Sequence, residues 1–377
     1  MSAKLHLLAL LSAGLSVLAI NPASAQPYPG YIYTDLGPLP SGDDSFATAI
    51  NSTGQAVGFS SVAGNRHATL WNGTTPTDLS MLPGSGNYSE AWGINNNGMV
   101  AGSSWSAADD DTRATVWNST AATRLDPLSG SDSSFGHAIN DHNQVAGWSS
   151  TDEGMRATLW NGTTATELGT LGGNSSIAYA INDDGKVAGQ STINSDSSVR
   201  HATVWNGTTP TDLGTLGGNS SVAYDINDSG RVAGRSDVTT GSFNYHATIW
   251  NGTMPTDLGT LGGDSSQANA INNAGIVVGW SETPDDGTSA TLWDGTTAID
   301  LNSFLNEDTV NAGWVLTEAA DTNDNGWIVG DAFNNLTNQT HAFLLTPIPE
   351  PETYAMFLAG LGLITAFASL SRHRRTT

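Results

Sequence analysis

The sequence predicts an all-β fold, a seven-bladed β-propeller of four-stranded repeats. Three observations lead there. An Ile-Asn pair, or a degenerate copy of it, recurs with its asparagine at Asn51, Asn95, Asn140, Asn182, Asn227, Asn272 and Asn323, in steps of 44, 45, 42, 45, 45 and 51. A period near 45 with several short apolar runs per unit is the spacing of propeller blades. The two ends of the repeated body also complement each other: the last unit stops after His341-Ala-Phe-Leu-Leu-Thr346, and Tyr31-Ile-Tyr-Thr-Asp-Leu-Gly37 matches a fourth strand with no three before it. One end therefore supplies what the other lacks. That closes a ring and hides edges that would otherwise pair with other chains, whereas an open solenoid needs no such match.

Within one unit the elements follow in order. Residues 176–181 are apolar almost throughout, as a strand buried on both faces should be. Asn182-Asp-Asp-Gly185 is a tight turn, 186–191 a second strand, and a variable polar loop follows. Residues 201–205 form a third strand, Asn206-Gly207 a second turn, and 211–216 the edge strand. Residues 217–220 cross to the next unit, which begins at 222–226. The most regular stretch, 212–227, is repeated at 167–182 and 257–272. It is thus a joint between blades.

Two glycine columns and one tryptophan column accompany this plan. The turn position is Gly54, Gly98, Asn143, Gly185, Gly230, Gly275 and Gly326, residues that tolerate positive φ. A second column, Gly58, Gly102, Gly147, Gly189, Gly234, Gly279 and Gly330, lies inside a strand, where glycine signals a close neighbour. The repeat tryptophan of an adjoining blade is the expected neighbour. Those tryptophans, Trp71, Trp117, Trp160, Trp205, Trp250 and Trp293, read as one large core ring per blade rather than as a sugar-binding array. In the last copy Leu345 takes the place.

Composition narrows the function. Without cysteine, neither disulfides nor thiolate metal sites are available. The formal charge is −24, and between the two ends the only basic residues are Arg66, Arg113, Arg124, Arg156, Lys186, Arg200, Arg231 and Arg235. A body this acidic repels phosphate backbones, so nucleic acid is not an expected partner.

The ends read as addresses. Lys4 and His6 precede an apolar run to Ile20, and Pro22-Ala-Ser-Ala25 offers a cleavage site before Gln26. Residues 1–25 are thus expected to be a secretory signal removed by signal peptidase between Ala25 and Gln26. At the other end Pro349-Glu350-Pro351 precedes an uncharged apolar segment, 354–370, and then Arg372, Arg374 and Arg375. That segment is at the lower limit for spanning a bilayer, and the trailing arginines favour a cytoplasmic end. Residues 31–347 are the propeller and 348–377 the sorting segment.

Proline-glutamate-proline, an apolar span and a basic tip in this order resemble the PEP-CTERM sorting signal of Gram-negative bacteria. The resemblance implies export through the inner membrane, recognition by an exosortase, loss of the tail, and residence at the cell surface or in an extracellular matrix. Contact with the membrane would run only through the C-terminal segment before processing. Such proteins usually accompany exopolysaccharide production. The body also resembles the HAF-type extracellular repeat, through His341-Ala-Phe343, His201-Ala-Thr-Val-Trp205, Asp212-Leu-Gly-Thr-Leu-Gly-Gly218 and Ile226-Asn227 with Val232-Ala-Gly234. That family implies secretion and a repeat fold but no defined activity.

Chemistry is sparse. Nucleophile elbows, His-Glu-x-x-His motifs and P-loops are missing from the sequence. His67, His201, His246 and His341 share one repeat position, so they fall on different blades and read as structural. Glu90, Asp225, Glu318 and Asp321 stand on the inner-strand register, where a channel could gather them. Asp321-Thr-Asn-Asp-Asn-Gly326 matches the first half of a calcium loop, through Asp321, Asn323 and Asn325, but Ala332 stands where the closing glutamate belongs. No cofactor is expected apart from calcium there. The Asn-Gly-Thr triplets at Asn72, Asn161, Asn206 and Asn251 read as hairpin turns. The expected role is a non-enzymatic scaffold binding polysaccharide. The alternatives are a propeller-fold glycoside hydrolase or polysaccharide lyase, and a purely structural matrix protein. Specificity is expected in the loops 104–113, 191–200 and 236–245.

Overall fold

The computed structural model describes residues 30–82, 88–106, 111–194, 199–241, 244–285 and 287–348. Among these residues, 28 strands pair into seven antiparallel four-stranded sheets. Tyr31–Ile348 forms one compact unit, and the secretory segment and the sorting tail lie outside the described residues. The inner strands of blades 1 to 7 are Gly42–Ile50, Ser89–Ile94, Ser134–Ile139, Ser176–Ile181, Ser221–Ile226, Ser266–Ile271 and Trp314–Thr322. They surround a central channel. Among the described residues no helix is long and apolar enough to cross a membrane.

Blade 4 displays the common plan. Its inner strand pairs with Val187–Thr192, that strand with Arg200–Asn206, and that with the edge strand Thr209–Asp212. The edge strand stops four residues before the expected end at 216. Asp212 Oδ1 accepts the Gly214 N–H at 2.7 Å, and Gly214 turns the chain with φ 71°. Blade 7 takes its edge strand from the start of the body: Tyr31–Asp35 runs antiparallel to Gln339–Pro347, with Tyr31 opposite Pro347 and Asp35 opposite Phe343. The ring is therefore closed as the complementary ends require. The long step to Asn323 is accounted for by a short 3-10 turn, Leu301–Phe304, and a one-turn helix, Glu307–Asn311, inserted before the last inner strand.

The recurring asparagines form a closed ring of their own. Each Nδ2 donates to the backbone carbonyl of the equivalent asparagine in the next blade: Asn51 to Asn95, Asn95 to Asn140, and so on round to Asn323, which donates to Asn51. The Oδ1 atoms hold the turns of their own blades, as Asn182 does with Lys186 N at 2.9 Å. Each buried hydrogen bond contributes about 1 kcal/mol net, and losing one partner costs more.

The repeat tryptophans are core, fully buried or within 1% of it. Each packs on the leucine that follows the edge strand of the preceding blade: Trp71 on Leu36, Trp117 on Leu79, Trp160 on Leu125, Trp205 on Leu168, Trp250 on Leu213 and Trp293 on Leu258. Burying a ring of this size stabilises the fold by about 4–6 kcal/mol before entropy costs. Four of the indole N–H groups donate to carbonyls of that same connection, at Gly37, Ser80, Asp126 and Gly169. In the next two blades the corresponding carbonyls, Gly214 and Gly259, accept from Ser221 and Ser266 instead, and the Nε1 atoms of Trp250 and Trp293 are left without a partner among the described residues.

The strand glycines do not receive a tryptophan, contrary to expectation. Their neighbour is the blade's own inner strand: a Cβ on Gly189 would lie 2.0 Å from the Ile177 carbonyl oxygen, and one on Gly58 would lie 1.9 Å from that of Phe46. Every inner strand carries a register shift at this point, around residue 48, 92, 137, 179, 224, 269 or 320. A β-bulge inserts one unpaired residue and bends its strand. Here it drives a carbonyl against the second strand, and only glycine leaves room.

Candidate functional site

The bulge decides what the channel contains. The bulged residue of each blade is Thr48, Trp92, His137, Tyr179, Tyr224, Asn269 or Ala320, and all seven line one cavity of about 610 Å³. Four consecutive blades contribute an aromatic arc. Trp92 meets His137 edge-on with centroids 5.7 Å apart, His137 lies 5.2 Å from Tyr179, and Tyr179 lies 5.4 Å from Tyr224. Phe46 and Phe59 stack at 4.9 Å at the other side of blade 1. Between alanines and isoleucines, the rest of the wall carries the polar side chains of Asp225, Gln267, Asn269, Glu318, Asp321 and Asp331.

The four carboxyl groups differ in how they are held. Asp225 accepts Ile226 N–H at 2.8 Å and Ile271 N–H of blade 6 at 2.7 Å. Asp321, at the same repeat position, accepts Thr322 N–H at 2.7 Å and Ile50 N–H of blade 1 at 2.8 Å. Both oxygens of each are thus used, Oδ1 within its own strand and Oδ2 to clamp a neighbouring blade. Glu318 Oε1 accepts from Asn269 Nδ2 at 2.7 Å, and Asp331 Oδ1 from Ala47 N–H at 3.2 Å. Glu318 and Asp331 stand directly opposite each other across a strand pair, with cavity surface on both.

Burial dominates their protonation. It pushes Asp225 up to about 6 against two backbone hydrogen bonds that favour the charge. Burial, with the charge of Asp225 added, takes Asp321 up to about 8. Asp331 is raised well above the usual carboxylate range by burial and by Glu318, and Glu318 is itself raised by burial. Desolvation disfavours the charged form of a base as well, and it brings His137 down to about 4. At neutral pH His137 is a neutral imidazole. It is half-buried, lines the channel, and its ring lies between those of Trp92 and Tyr179.

Of the acids expected on the inner-strand register, the channel gathers Asp225, Glu318 and Asp321. Glu90 goes elsewhere: it is buried in an ion pair with Arg66 and accepts the Trp92 Nε1–H at 3.3 Å. Asp331 was hidden because it belongs to the second strand. Asp321, Asn323 and Asn325 point to different partners. Asn323 Nδ2 donates to the Asn51 carbonyl, and Asn325 Nδ2 to the Ser52 carbonyl at 2.9 Å. Among the described residues no group of three or more His, Cys, Asp or Glu side chains is placed to hold a metal ion.

The recurrent histidines sit on third strands, each paired with the acid that ends its edge strand: His67–Asp78 at 3.0 Å, His201–Asp212 at 2.8 Å, His246–Asp257 at 2.8 Å and His341–Asp35 at 3.0 Å. Where the repeat has Arg156 instead, it pairs with Glu167 at 3.1 Å. Parts of the three variable loops, at 107–110, 195–198 and 242–243, lie outside the described residues, as do Ala25, Gln26, Pro349, Glu350, Pro351, Arg372, Arg374 and Arg375.

Residues 347–375 match the PEP-CTERM protein-sorting motif. The chain therefore carries the signal of an exported, exosortase-sorted surface protein of Gram-negative bacteria. No curated protein matches the chain. Among solved structures, TolB from Acinetobacter baumannii is similar at 10% identity and a TM-score of 0.42, covering 81% of this chain and 64% of its own. A gluconolactonase from Xanthomonas campestris is similar at 10% identity and a TM-score of 0.37, covering 68% of this chain and 86% of its own. The chain thus spans just under two thirds of the TolB structure it matches.

Proposed function

We propose that this protein is a surface-displayed carbohydrate-binding propeller, holding a segment of polysaccharide in its channel without turning it over. The observation that carries the reading is the pairing of an aromatic arc with a polar wall in one cavity of about 610 Å³. Sugar rings have apolar faces that lie on aromatic rings and hydroxyl edges that bond to amides and carboxylates. Trp92, Tyr179 and Tyr224 supply the first surface; Asn269, Gln267 and Glu318 supply the second. The volume is in the range of small-molecule sites, roughly 300–1,000 Å³. The sorting motif and the resemblance to HAF-type repeats accord with a protein displayed among exopolysaccharide or in a biofilm.

A hydrolase is the second reading, favoured by the facing pair Glu318 and Asp331. Glycosidases use two carboxyl groups flanking the scissile bond. Here the pair stands side by side on one wall, and Asp225 and Asp321 are occupied as clamps between blades. Binding is therefore the better reading. A glycan array, followed by calorimetry on the best ligand, tests it. Tyr179→Ala and Trp92→Ala are each expected to weaken binding at least tenfold, since an aromatic contact contributes about 0.5–1.5 kcal/mol beyond the area it buries. Release of reducing ends from any polysaccharide would move the protein to the enzyme class. Absence of binding to every glycan tested would leave a purely structural matrix role.

A further inference from the structure

The cavity has a charge preference as well as a shape. Four carboxyl side chains line it, and no lysine or arginine does. Three arginines stand behind the lining rings, and Arg200 is one of them, its charge felt at Tyr179 and Tyr224. Arg66 is paired with Glu90 and lies 4.7 Å over the Phe59 ring. Arg235 lies 4.1 Å over Tyr245 and 5.9 Å over the Tyr224 ring. His137, the one imidazole in the lining, faces the cavity from between Trp92 and Tyr179 with no hydrogen bond to either nitrogen among the described residues. Glu318 Oε2 and Asp331 Oδ2 likewise have no protein partner among the described residues, while Oε1 and Oδ1 are held by Asn269 and Ala47.

We infer that the channel selects a sugar unit bearing a free, protonated amine, with the ammonium group at Glu318 and Asp331 and the sugar face on the Tyr179–Tyr224 side of the arc. This rests on the carbohydrate-binding reading and narrows it to amino sugars. An ammonium has three donors and no acceptor, which suits two acid oxygens and a neighbouring amide oxygen. Aromatic faces attract cations further, most strongly where water is excluded. The opposite charge is disfavoured: a uronate would oppose ionisation of the carboxyl groups that an ammonium would hold ionised, and an unfavourable interaction of that kind is how a site discriminates. The carboxyl groups repel one another and are raised by burial, and a bound cation offsets both effects. His137 stays neutral beside the ammonium and offers one nitrogen as donor and the other as acceptor to hydroxyl groups.

The test is calorimetric titration of the protein with three tetrasaccharides at pH 6: β-1,4-linked glucosamine, its fully N-acetylated counterpart, and a uronic-acid oligomer. The glucosamine oligomer is expected to bind at least tenfold more tightly than the acetylated one, and the uronate not at all. Glu318→Gln combined with Asp331→Asn should cost the glucosamine oligomer at least tenfold and abolish its advantage over the acetylated one, and a retained tenfold advantage overturns the assignment of the amine to these two residues. Equal or tighter binding of the acetylated oligomer overturns the amine preference and leaves the carbohydrate reading standing. Failure of all three, together with a blank glycan array, removes both. Comparison of ligands on the unaltered protein does not depend on how well a variant folds, and the melting temperature of the double variant checks that separately.

Discussion

Gly189 has room for a hydrogen and nothing larger, because the Ile177 carbonyl would lie 2.0 Å from its Cβ. That one contact links backbone to site: the carbonyl is displaced by the bulge at Tyr179, and the bulge turns Tyr179 into the cavity. Gly189→Ala must push the inner strand away or flatten the bulge. Overpacking of this kind costs typically 1–3 kcal/mol, and in a domain this large each kcal/mol lowers the melting temperature by roughly 2–4 °C. A loss of roughly 2–12 °C is expected by calorimetry; an unchanged melting temperature would show that the bulge gives way freely. Asn182 is a second pivotal residue, since its Nδ2 donates to Asn227 O and its Oδ1 accepts from Lys186 N. Asn182→Asp keeps the acceptor, removes the donor and sets a carboxylate against a carbonyl oxygen. It should cost about 1–3 kcal/mol or more, whereas Asp183→Asn, one residue on and at the exposed rim, should be nearly neutral. Equal melting temperatures for these two variants would refute a structural role for the ring.

Among the elements, the edge strand Tyr31–Asp35 has the largest consequence for its length. It covers the Gln339–Pro347 strand, and His341–Asp35 joins the two at 3.0 Å. A chain beginning at Gly30 should fold with its tryptophans buried. One beginning at Gly37 should expose a long strand edge, which is a template for association. Size-exclusion chromatography distinguishes them: a monomer for the first and aggregate for the second are expected, and a monomeric, fully folded second chain would mean that the ring closes without its last strand. This closure was legible in the sequence, as were the blade count, the turn glycines and the core tryptophans, because each follows from counting along one chain. The cavity was not. Strand reading rests on alternation, and one extra residue at 92, 137, 179 and 224 breaks it. The aromatic column was therefore present in the sequence but had no face assigned to it. The Glu318–Asp331 pair was illegible for another reason, because its partners come from different strands and only the pairing register brings them together. The strand-glycine column held the missing clue, since a second-strand glycine in every repeat implies a backbone approach in every repeat.

For the whole molecule, a seven-part frame is kept regular at the ring asparagines, tryptophans and glycines and is varied where it faces the channel. The chain enters and leaves this frame at neighbouring points, Tyr31 beside Pro347, and a Cβ on Gly326 of the asparagine turn would lie 3.6 Å from Pro347. The last strand thus ends beside the asparagine turns, at the residue where the sorting motif begins. Charge acts on this frame in two layers. The net −24 is mostly at the surface, where salt screens it within about 3 Å at 1 M. The channel acids are half-buried, and screening reaches them less. Both layers predict that stability falls as pH rises, and for the channel acids the sign follows from linkage. The folded state holds its proton on Asp321 up to about 8, while the unfolded chain releases it near 3.8. Between those values the folded state binds more protons, so unfolding is increasingly favoured with rising pH. The contribution is absent below pH 4 and complete above pH 8. Melting temperatures measured from pH 4 to pH 8 should fall in low salt, fall less steeply in 1 M NaCl, and still fall there. In 1 M NaCl the residual slope should shrink in Glu318→Gln/Asp331→Asn, because the two carboxyl groups opposed to charging have been removed. A slope abolished by salt alone would mean that the channel acids ionise like surface groups, and that the cavity is too wet to hold the charge preference argued for it.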